Sequence, residues 1–241
     1  QGEHHLGVGF ECPGGSYSNN CNGDHAIPQP SQPVILPAGV KAESIYHHRN
    51  SESSACVVTT DGNAYCWGTN SYGQLGNGYT SNINAYDGIP DQVYLPSGIS
   101  SEIATMSLAE GTSCALWDNG SVYCWGKNLY GQIGDGTVCE GSVYENNCNG
   151  NTAKPIIYDP VVFPAGETAI ALWTENSENS YTGFCSLLTS GGIWCWGHIV
   201  TNETGDHTGT GEYQQIFALG DFIQPGNRDW DSDDIYNSDD N

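Results

Sequence analysis

The sequence predicts an all-β protein, built as a β-propeller-like array of about three four-stranded blades. Three observations carry this prediction. A Cys-Trp-Gly tripeptide occurs three times, each copy closes a cysteine-bounded segment with a glycine turn inside it, and a similar two-strand block precedes each copy. Recurrence of one such unit at a nearly fixed spacing is typical of propellers and other repeat folds.

The three Cys-Trp-Gly copies end segments that we interpret as β-hairpins. They read CVVTTDGNAYCWG (56–68), CALWDNGSVYCWG (114–126) and CSLLTSGGIWCWG (185–197). Each has two short alternating runs around an Asp-Gly, Asn-Gly or Ser-Gly turn, which is a hairpin signal. If the two cysteines of a pair are opposed, a disulfide can join the strands, and the loop has three residues ending in Gly62, Gly120 or Gly191.

Alternation along the second strand of each hairpin places two aromatic residues on one face and the cysteine on the other. The aromatic residues are Tyr65, Trp67, Tyr123, Trp125, Trp194 and Trp196. Large aromatic side chains that recur on one face of every hairpin predict packing between adjacent sheets.

Two further blocks complete each repeat. The blocks before the hairpins are PVILPAGVKAESIYHH (33–48), DQVYLPSGISSEIATMSL (91–108) and DPVVFPAGETAIALW (159–173). Each predicts a short strand, a Pro-x-Gly turn and a second strand, so two strands and a hairpin would make one four-stranded sheet. The glycine-rich connectors GTNSYGQLGNG (68–78) and GKNLYGQIGDG (126–136) follow two of the hairpins.

These motifs resemble the regulator of chromosome condensation repeat family, whose units carry a strand, an Asp-Gly hairpin, Trp-Gly and then Asn-x-x-Gly-Gln-Leu-Gly-x-Gly. The similarity covers 56–78 and 114–137 closely and 185–197 partially. It implies the propeller fold, whereas folds of this kind host many activities. The family includes nuclear exchange factors, plant photoreceptors and secreted inhibitors of β-lactamase, and the disulfides and acidic charge of this chain resemble the secreted type.

The repeats divide the chain into five parts. They are an N-terminal partial repeat with a disulfide loop (1–33), repeat 1 with its connector (34–91), repeat 2 with a disulfide insertion (92–159), repeat 3 (160–197), and a degenerate repeat with an acidic tail (198–241). We expect the two terminal partial repeats either to close the ring or to dock on neighbouring copies.

Ten cysteines in five close pairs predict a disulfide framework rather than zinc sites, because no Cys-x-x-Cys knuckle occurs. The pairs are Cys12 with Cys21, Cys56 with Cys66, Cys114 with Cys124, Cys139 with Cys148, and Cys185 with Cys195. The sequence begins at Gln1 and shows no leader, so we expect a signal peptide to have been removed. No apolar run approaches the ~18 residues of a membrane span. An extracellular or cell-surface location follows as an expectation.

The charge balance limits the classes of molecule that the chain can bind. The chain has 28 acidic and five basic residues, for a formal net charge of −23. Nucleic acid is excluded as a natural partner, because the chain has few cations with which to replace condensed counterions. Basic proteins and divalent cations remain compatible. No cofactor is otherwise indicated, and calcium is the candidate cation, with Asp231, Asp233 and Asp234 of the tail as its ligands.

We interpret the chain as a non-enzymatic, extracellular structural subunit. In this hypothesis copies assemble head-to-tail into a surface fibre or coat through their open repeat ends. The self-assembly residues would be Leu6, Val8, Phe10, Trp230, Ile235 and Tyr236. Two alternatives remain: a monomeric secreted propeller that binds a protein or glycan through a connector face carrying Tyr72 and Tyr130, or a fragment of a longer propeller.

Other motifs give little chemistry. No Gly-x-Ser-x-Gly elbow, phosphate-binding loop or His-Glu-x-x-His motif occurs. Neighbouring side chains on a strand face opposite ways, so the pairs His4-His5 and His47-His48 predict surface histidines rather than a chelate. Asn-Gly-Ser and Asn-Glu-Thr sequences make Asn119 and Asn202 candidate glycosylation sites.

Overall fold

The structure is a computed structural model of the chain. It describes residues 33–48, 54–80, 87–95, 99, 101–139, 148, 153–157, 159–176, 182–197 and 214–217. The regular structure in these ranges consists of twelve β-strands, which confirms the all-β prediction. The strands are β1 (Ala42–His47), β2 (Ser54–Thr59), β3 (Ala64–Gly68), β4 (Asp87–Gln92), β5 (Ile103–Ala109), β6 (Thr112–Trp117), β7 (Val122–Lys127), β8 (Ala153–Lys154), β9 (Ala169–Asn176), β10 (Thr182–Leu188), β11 (Ile193–Gly197) and β12 (Gln214–Phe217).

The strands form three antiparallel four-stranded sheets, as the repeats predicted. Blade 1 has the order β1-β2-β3-β4, blade 2 has β5-β6-β7-β8, and blade 3 has β9-β10-β11-β12. Consecutive strands are neighbours in every sheet, which suits short connections. Residues 1–32 of the N-terminal partial repeat and most of 198–241 lie outside the described residues.

The fourth strand of a blade comes from the segment after its hairpin, whereas the repeats suggested a strand before the hairpin. Asp91 of β4 pairs with Cys66 of β3, and the Val93 amide donates to the Ala64 carbonyl oxygen at 2.9 Å. The short strand before a Pro-x-Gly turn therefore completes the preceding sheet. The turn then leads the chain into the first strand of the next blade, so the expectation that both strands of a block join the following hairpin is wrong.

The hairpins have the predicted register. In the three blades Cys56 pairs with Cys66, Cys114 with Cys124, and Cys185 with Cys195, and each pair forms a disulfide. The loop of the first hairpin ends at Gly62, whose φ is 75° and whose amide donates to the Thr59 carbonyl oxygen at 2.8 Å. Glycine adopts this left-handed conformation without steric cost, which is why the turn needs it.

The core lies between the blades. Trp125 and Met106 of blade 2 pack with Val58 and the Cys56–Cys66 disulfide of blade 1. In the same way Trp196 of blade 3 packs against blade 2, in a second cluster that contains the Cys114–Cys124 disulfide. Blades 1 and 2 thus present their cysteines to the following blade, and blades 2 and 3 present their Trp-Gly tryptophan to the preceding one, which confirms the predicted inter-sheet packing at these two junctions.

Candidate binding surface

The asparagine and glutamine side chains of the connectors form hydrogen bonds within the connectors themselves. The Asn70 Oδ1 atom accepts from the Leu75 amide at 3.1 Å, and the Gln74 Oε1 atom accepts from the Tyr72 amide at 2.9 Å. Asn128 and Gln132 repeat both contacts in blade 2. All four amide side chains are buried. The Asn-x-x-Gly-Gln pattern therefore folds the connector and does not present ligand-binding groups.

Each folded connector receives the tryptophan of the next blade. The Trp125 Nε1 atom donates to the Gln74 carbonyl oxygen at 3.0 Å, and the Trp196 Nε1 atom donates to the Gln132 carbonyl oxygen at 2.9 Å. A Cβ atom at Gly76 would lie 2.7 Å from Trp125 Nε1, so only glycine fits beneath the indole. This docking joins each of the three blades to its neighbour.

The aromatic residues predicted for the connector face are half-buried. Tyr72 lies beside Gly111, and the Lys127 Nζ atom lies 5.4 Å from the centre of its ring, while a Glu110 carboxylate oxygen is 3.6 Å from the same Nζ atom. Tyr130 is likewise half-buried. Tyr72 thus lines the junction of blades 1 and 2, and neither residue is an open aromatic platform.

Two other tyrosines are exposed at the outer edge of blade 1. The side chains of Tyr79 and Tyr94 are 54% and 62% exposed. The Tyr94 ring lies over Gly78, where an added Cβ would be 3.2 Å from Tyr94 Cδ2. The Tyr79 hydroxyl donates to Asp91 Oδ2 at 3.1 Å, and Asn77 Nδ2 donates to the same oxygen at 2.9 Å. We call Tyr79, Tyr94, Asp91 and Asn77 the tyrosine site.

The tyrosine site could not be recognised from the repeats, because blade 2 has no tyrosine at either of the two equivalent positions. The Val162 amide bonds to the Gly134 carbonyl oxygen in blade 2 as the Tyr94 amide bonds to the Gly76 carbonyl oxygen in blade 1. Blade 2 thus has Val162 in place of Tyr94. Thr137 stands at the place of Tyr79. A comparison of the residues that follow the two connectors, and of the 91–108 and 159–173 blocks, for departures from the repeat would have found both tyrosines.

Two lysines in the described ranges form ion pairs with acidic residues of the same chain. The Lys154 ammonium group contacts the Asp135 carboxylate, and both side chains are buried. The Lys127 side chain, paired with Glu110, is also mostly buried. The chain has only five basic residues against 28 acidic ones, and two of the five form these internal ion pairs. The acidic side chains therefore dominate the surface potential.

His48 corrects the expectation of a surface histidine. Its side chain is 5% exposed, and its Nε2 atom lies 3.1 Å from the Thr112 carbonyl oxygen of blade 2. A carbonyl oxygen only accepts, so Nε2 carries the proton and Nδ1 accepts from the Ser54 hydroxyl at 2.5 Å. Burial lowers the pKa of His48 to about 4, so the imidazole is neutral at pH 7. Its neighbour His47 is exposed.

The structure describes some of the other predicted sites. Cys139 and Cys148 form a disulfide beside the blade 2 connector, where the Cys139 amide donates to the Asn128 carbonyl oxygen at 2.8 Å. Asn119 is exposed at the tip of the second hairpin. The remaining predicted residues lie outside the described ranges: Cys12, Cys21, Asn202, Asp231, Asp233, Asp234, Leu6, Val8, Phe10, Trp230, Ile235 and Tyr236.

The described ranges hold neither a cluster of metal ligands nor a membrane-spanning helix. Within them, no group of three or more His, Cys, Asp or Glu side chains is placed to hold a metal ion. The same part of the chain has no helix with the length and apolar character needed to cross a membrane.

Comparison with known proteins identifies the repeat. The sequence model of the regulator of chromosome condensation (RCC1) repeat matches residues 51–74 and 110–132, which hold the first two hairpins and most of their connectors. The chain contains RCC1 repeats. The third hairpin carries the same disulfide register and tryptophan docking, so blade 3 repeats the RCC1 architecture of the first two blades.

Several relatives share these RCC1 repeats. The zebrafish (Danio rerio) Protein RCC2 homolog is 34% identical over 83 residues, which are 33% of this chain and 15% of that protein. The human X-linked retinitis pigmentosa GTPase regulator is 35% identical over 106 residues, which are 43% of this chain and 10% of that protein. The matched RCC1 segments thus span less than a fifth of the length of either relative.

Solved structures support the fold. Human WBSCR16 superposes with a TM-score of 0.58 at 13% identity, covering 86% of this chain and 44% of that one. At this low sequence identity the superposition is evidence about the fold alone. That fold agrees with the RCC1 propeller arrangement of the blades.

Proposed function

We propose that this RCC1-repeat chain is a non-enzymatic, extracellular protein-binding module that engages partners of basic character. RCC1-like repeat proteins are typically protein-binding regulators, and their family includes regulatory proteins rather than typical enzymes. One of the relatives above is named a GTPase regulator. The observation that carries the proposal is the charge balance: the chain has 28 acidic residues against five basic ones, and two of those five, Lys127 and Lys154, are engaged in internal ion pairs.

Charge of one sign bears on both affinity and selectivity. A surface of uniform negative potential steers basic partners to the protein and repels acidic ones. The docked blades keep the described part of the surface in one arrangement, because both blade interfaces there combine a buried indole, a disulfide and a hydrogen bond. A preorganised surface loses less entropy on binding than a flexible one.

The disulfides support the extracellular part of the proposal. Every cysteine in the described ranges is disulfide-bonded, including the pair in the insertion of repeat 2. Disulfide-rich domains form and persist in oxidising compartments. The exposed Asn119 offers a direct test in a eukaryotic secretory host, because a glycan there would raise the intact mass and the rise would disappear in an Asn119→Gln variant.

A peptide array and a glycan array, probed in parallel with the labelled, disulfide-bonded chain, test the binding function. We expect saturable binding to lysine- and arginine-rich peptides that weakens as salt is raised from 50 to 300 mM. The reduced and unfolded chain is the control, since it keeps the charge and loses the blades. Saturable binding to glycans alone, or equal peptide binding by the unfolded chain, would refute the proposal.

Head-to-tail assembly into a fibre or coat is a second candidate. Ile45 on the first strand of blade 1 is 68% exposed, and Ile170 on the first strand of blade 3 is 58% exposed. Exposed apolar side chains on such strands are suited to contacts between copies. Light scattering across a hundredfold range of concentration tests this idea. A particle mass that grows with concentration and falls in an Ile45→Asp variant would support assembly, and a constant monomer mass would exclude it.

A further inference from the structure

We propose that the tyrosine site at the outer edge of blade 1 binds a lysine or arginine side chain of a partner protein. This inference rests on the proposed function and gives it a location. The site combines two exposed phenol rings with one fixed carboxylate, and it occurs in blade 1 but not in blade 2.

Two aromatic rings flank the site. The Tyr94 ring covers Gly78, and Tyr79 is the next residue after Gly78, so the two exposed tyrosines belong to neighbouring parts of the surface. The faces of phenol rings carry negative electrostatic potential and attract a lysine ammonium or an arginine guanidinium. Rings that are more than half exposed leave room for such a group to approach.

The carboxylate of Asp91 is held in position by a chain of hydrogen bonds. Asn70 Nδ2 donates to Asn77 Oδ1 at 3.0 Å, which orients the Asn77 amide so that its Nδ2 atom donates to Asp91 Oδ2. Asn77 is buried, and the Tyr79 hydroxyl donates to the same Asp91 oxygen. Asp91 and Tyr79 are therefore fixed relative to one another before any partner arrives, and this lowers the entropic cost of binding.

Charge selects a cation as the occupant. The carboxylate of the tyrosine site is one of the 28 acidic groups of a chain whose net charge is −23. Neither of the described ion pairs, Lys127 with Glu110 or Lys154 with Asp135, includes Asp91. An acidic or phosphorylated segment would meet repulsion at this surface, whereas a basic segment gains both the ring contacts and the carboxylate.

Blade 2 provides an internal control. Val162 occupies the position of Tyr94 and is 54% exposed, so it has similar access to solvent without an aromatic ring. Asp118 is an exposed acid in the turn of the second hairpin, distant in sequence from Asp91. Substitutions at Val162 and Asp118 therefore reproduce the loss of side-chain area and the loss of one charge without touching the tyrosine site.

The experiment is a fluorescence-anisotropy titration of the full disulfide-bonded chain with a labelled twelve-residue peptide of alternating lysine and glycine. We compare the unchanged chain with Tyr94→Ala, Asp91→Asn and the double variant, and with Val162→Ala and Asp118→Asn as controls. A cation over an exposed ring contributes about 0.5–1 kcal/mol, so Tyr94→Ala should weaken binding about two- to fivefold. Asp91→Asn should weaken it by up to about fivefold, as expected for an exposed ion pair.

The outcomes are distinct. The inference holds if the double variant binds the peptide about tenfold more weakly while both controls bind like the unchanged chain. Peptide binding that is saturable but equally strong in all variants would overturn the tyrosine site and leave the proposed function standing. A tyrosine-dependent affinity for chitotetraose or cellotetraose with no affinity for the peptide would assign the site to sugars and overturn the inference.

Discussion

Blade docking makes a quantitative prediction about two pairs of glycines. Gly76 and Gly134 lie beneath the docked tryptophans with φ values of 68° and 77°, and Gly39 and Gly166 lie in Pro-x-Gly turns with φ values of 85° and 86°. All four therefore carry the same left-handed backbone conformation. They differ in their surroundings, since a Cβ at Gly39 or Gly166 would meet nothing within 4 Å. Substitution by alanine separates the backbone cost from the docking cost.

The magnitudes follow from the structure. In the turns, alanine should cost only the left-handed conformation, about 1–2 kcal/mol. At Gly134 an added Cβ would also lie 2.8 Å from Trp196 Cδ1 and 3.0 Å from Val161 Cγ2. Overpacking of this kind typically costs a further 1–3 kcal/mol. Displacement of the indole would also weaken its bond to the Gln132 carbonyl oxygen, which contributes about 1 kcal/mol.

Urea unfolding followed by tryptophan fluorescence measures these differences with the disulfides intact. With an m-value of about 2 kcal/mol/M, an additional 2 kcal/mol lowers the midpoint by about 1 M relative to the turn variants. We expect Gly76→Ala and Gly134→Ala to show this additional loss. If they lose no more stability than Gly39→Ala and Gly166→Ala, tryptophan docking does not join the blades and our description of the interface is wrong.

Two further predictions concern buried charge. Burial lowers the pKa of His48 to about 4, below its unfolded value of 6.5. Between these two pH values the unfolded chain binds a proton that the folded chain does not. The free energy of unfolding therefore falls by up to about 3 kcal/mol as the pH drops from about 6.5 to about 4. Urea midpoints across this range should depend less on pH in His48→Gln, whereas a substitution of exposed His47 should leave the dependence unchanged; equal profiles would contradict the assignment. Lys154→Met leaves the Asp135 carboxylate buried without its cation and should cost about 3–5 kcal/mol. Adding Asp135→Asn, which copies Asn77 of blade 1, should recover most of that loss, and a double variant no more stable than Lys154→Met would exclude the buried pair.

The parts of the fold that could be predicted from sequence are those set by short-range spacing. Cys114 and Cys124 are ten residues apart with Gly120 between them, so the hairpin, its register and the direction of Trp125 follow from local geometry. Repetition of that spacing then predicts equivalent blades. The origin of the fourth strand was missed, because both sides of a Pro-x-Gly turn look like strands and only long-range pairing shows which sheet each one joins.

The candidate site depends on contacts that repeats do not encode. Strand alternation correctly places His47 and His48 on opposite faces, but the burial of His48 depends on Thr112 of blade 2, which is 64 residues away. Tyr79 likewise meets Asp91 only because β4 pairs with β3 at the end of the connector. Sequence composition predicted the acidic surface, whereas the location of two of its few cations in internal ion pairs required the structure.

Non-reducing peptide mapping by mass spectrometry tests the central claim, that disulfides within each hairpin hold three equivalent docked blades. The account predicts that proteolysis of the unreduced chain releases peptides linking Cys56 to Cys66, Cys114 to Cys124, and Cys185 to Cys195, with Cys139 linked to Cys148. A peptide that joins cysteines of two different hairpins would contradict the register of the blades, and with it the surface on which both proposals depend.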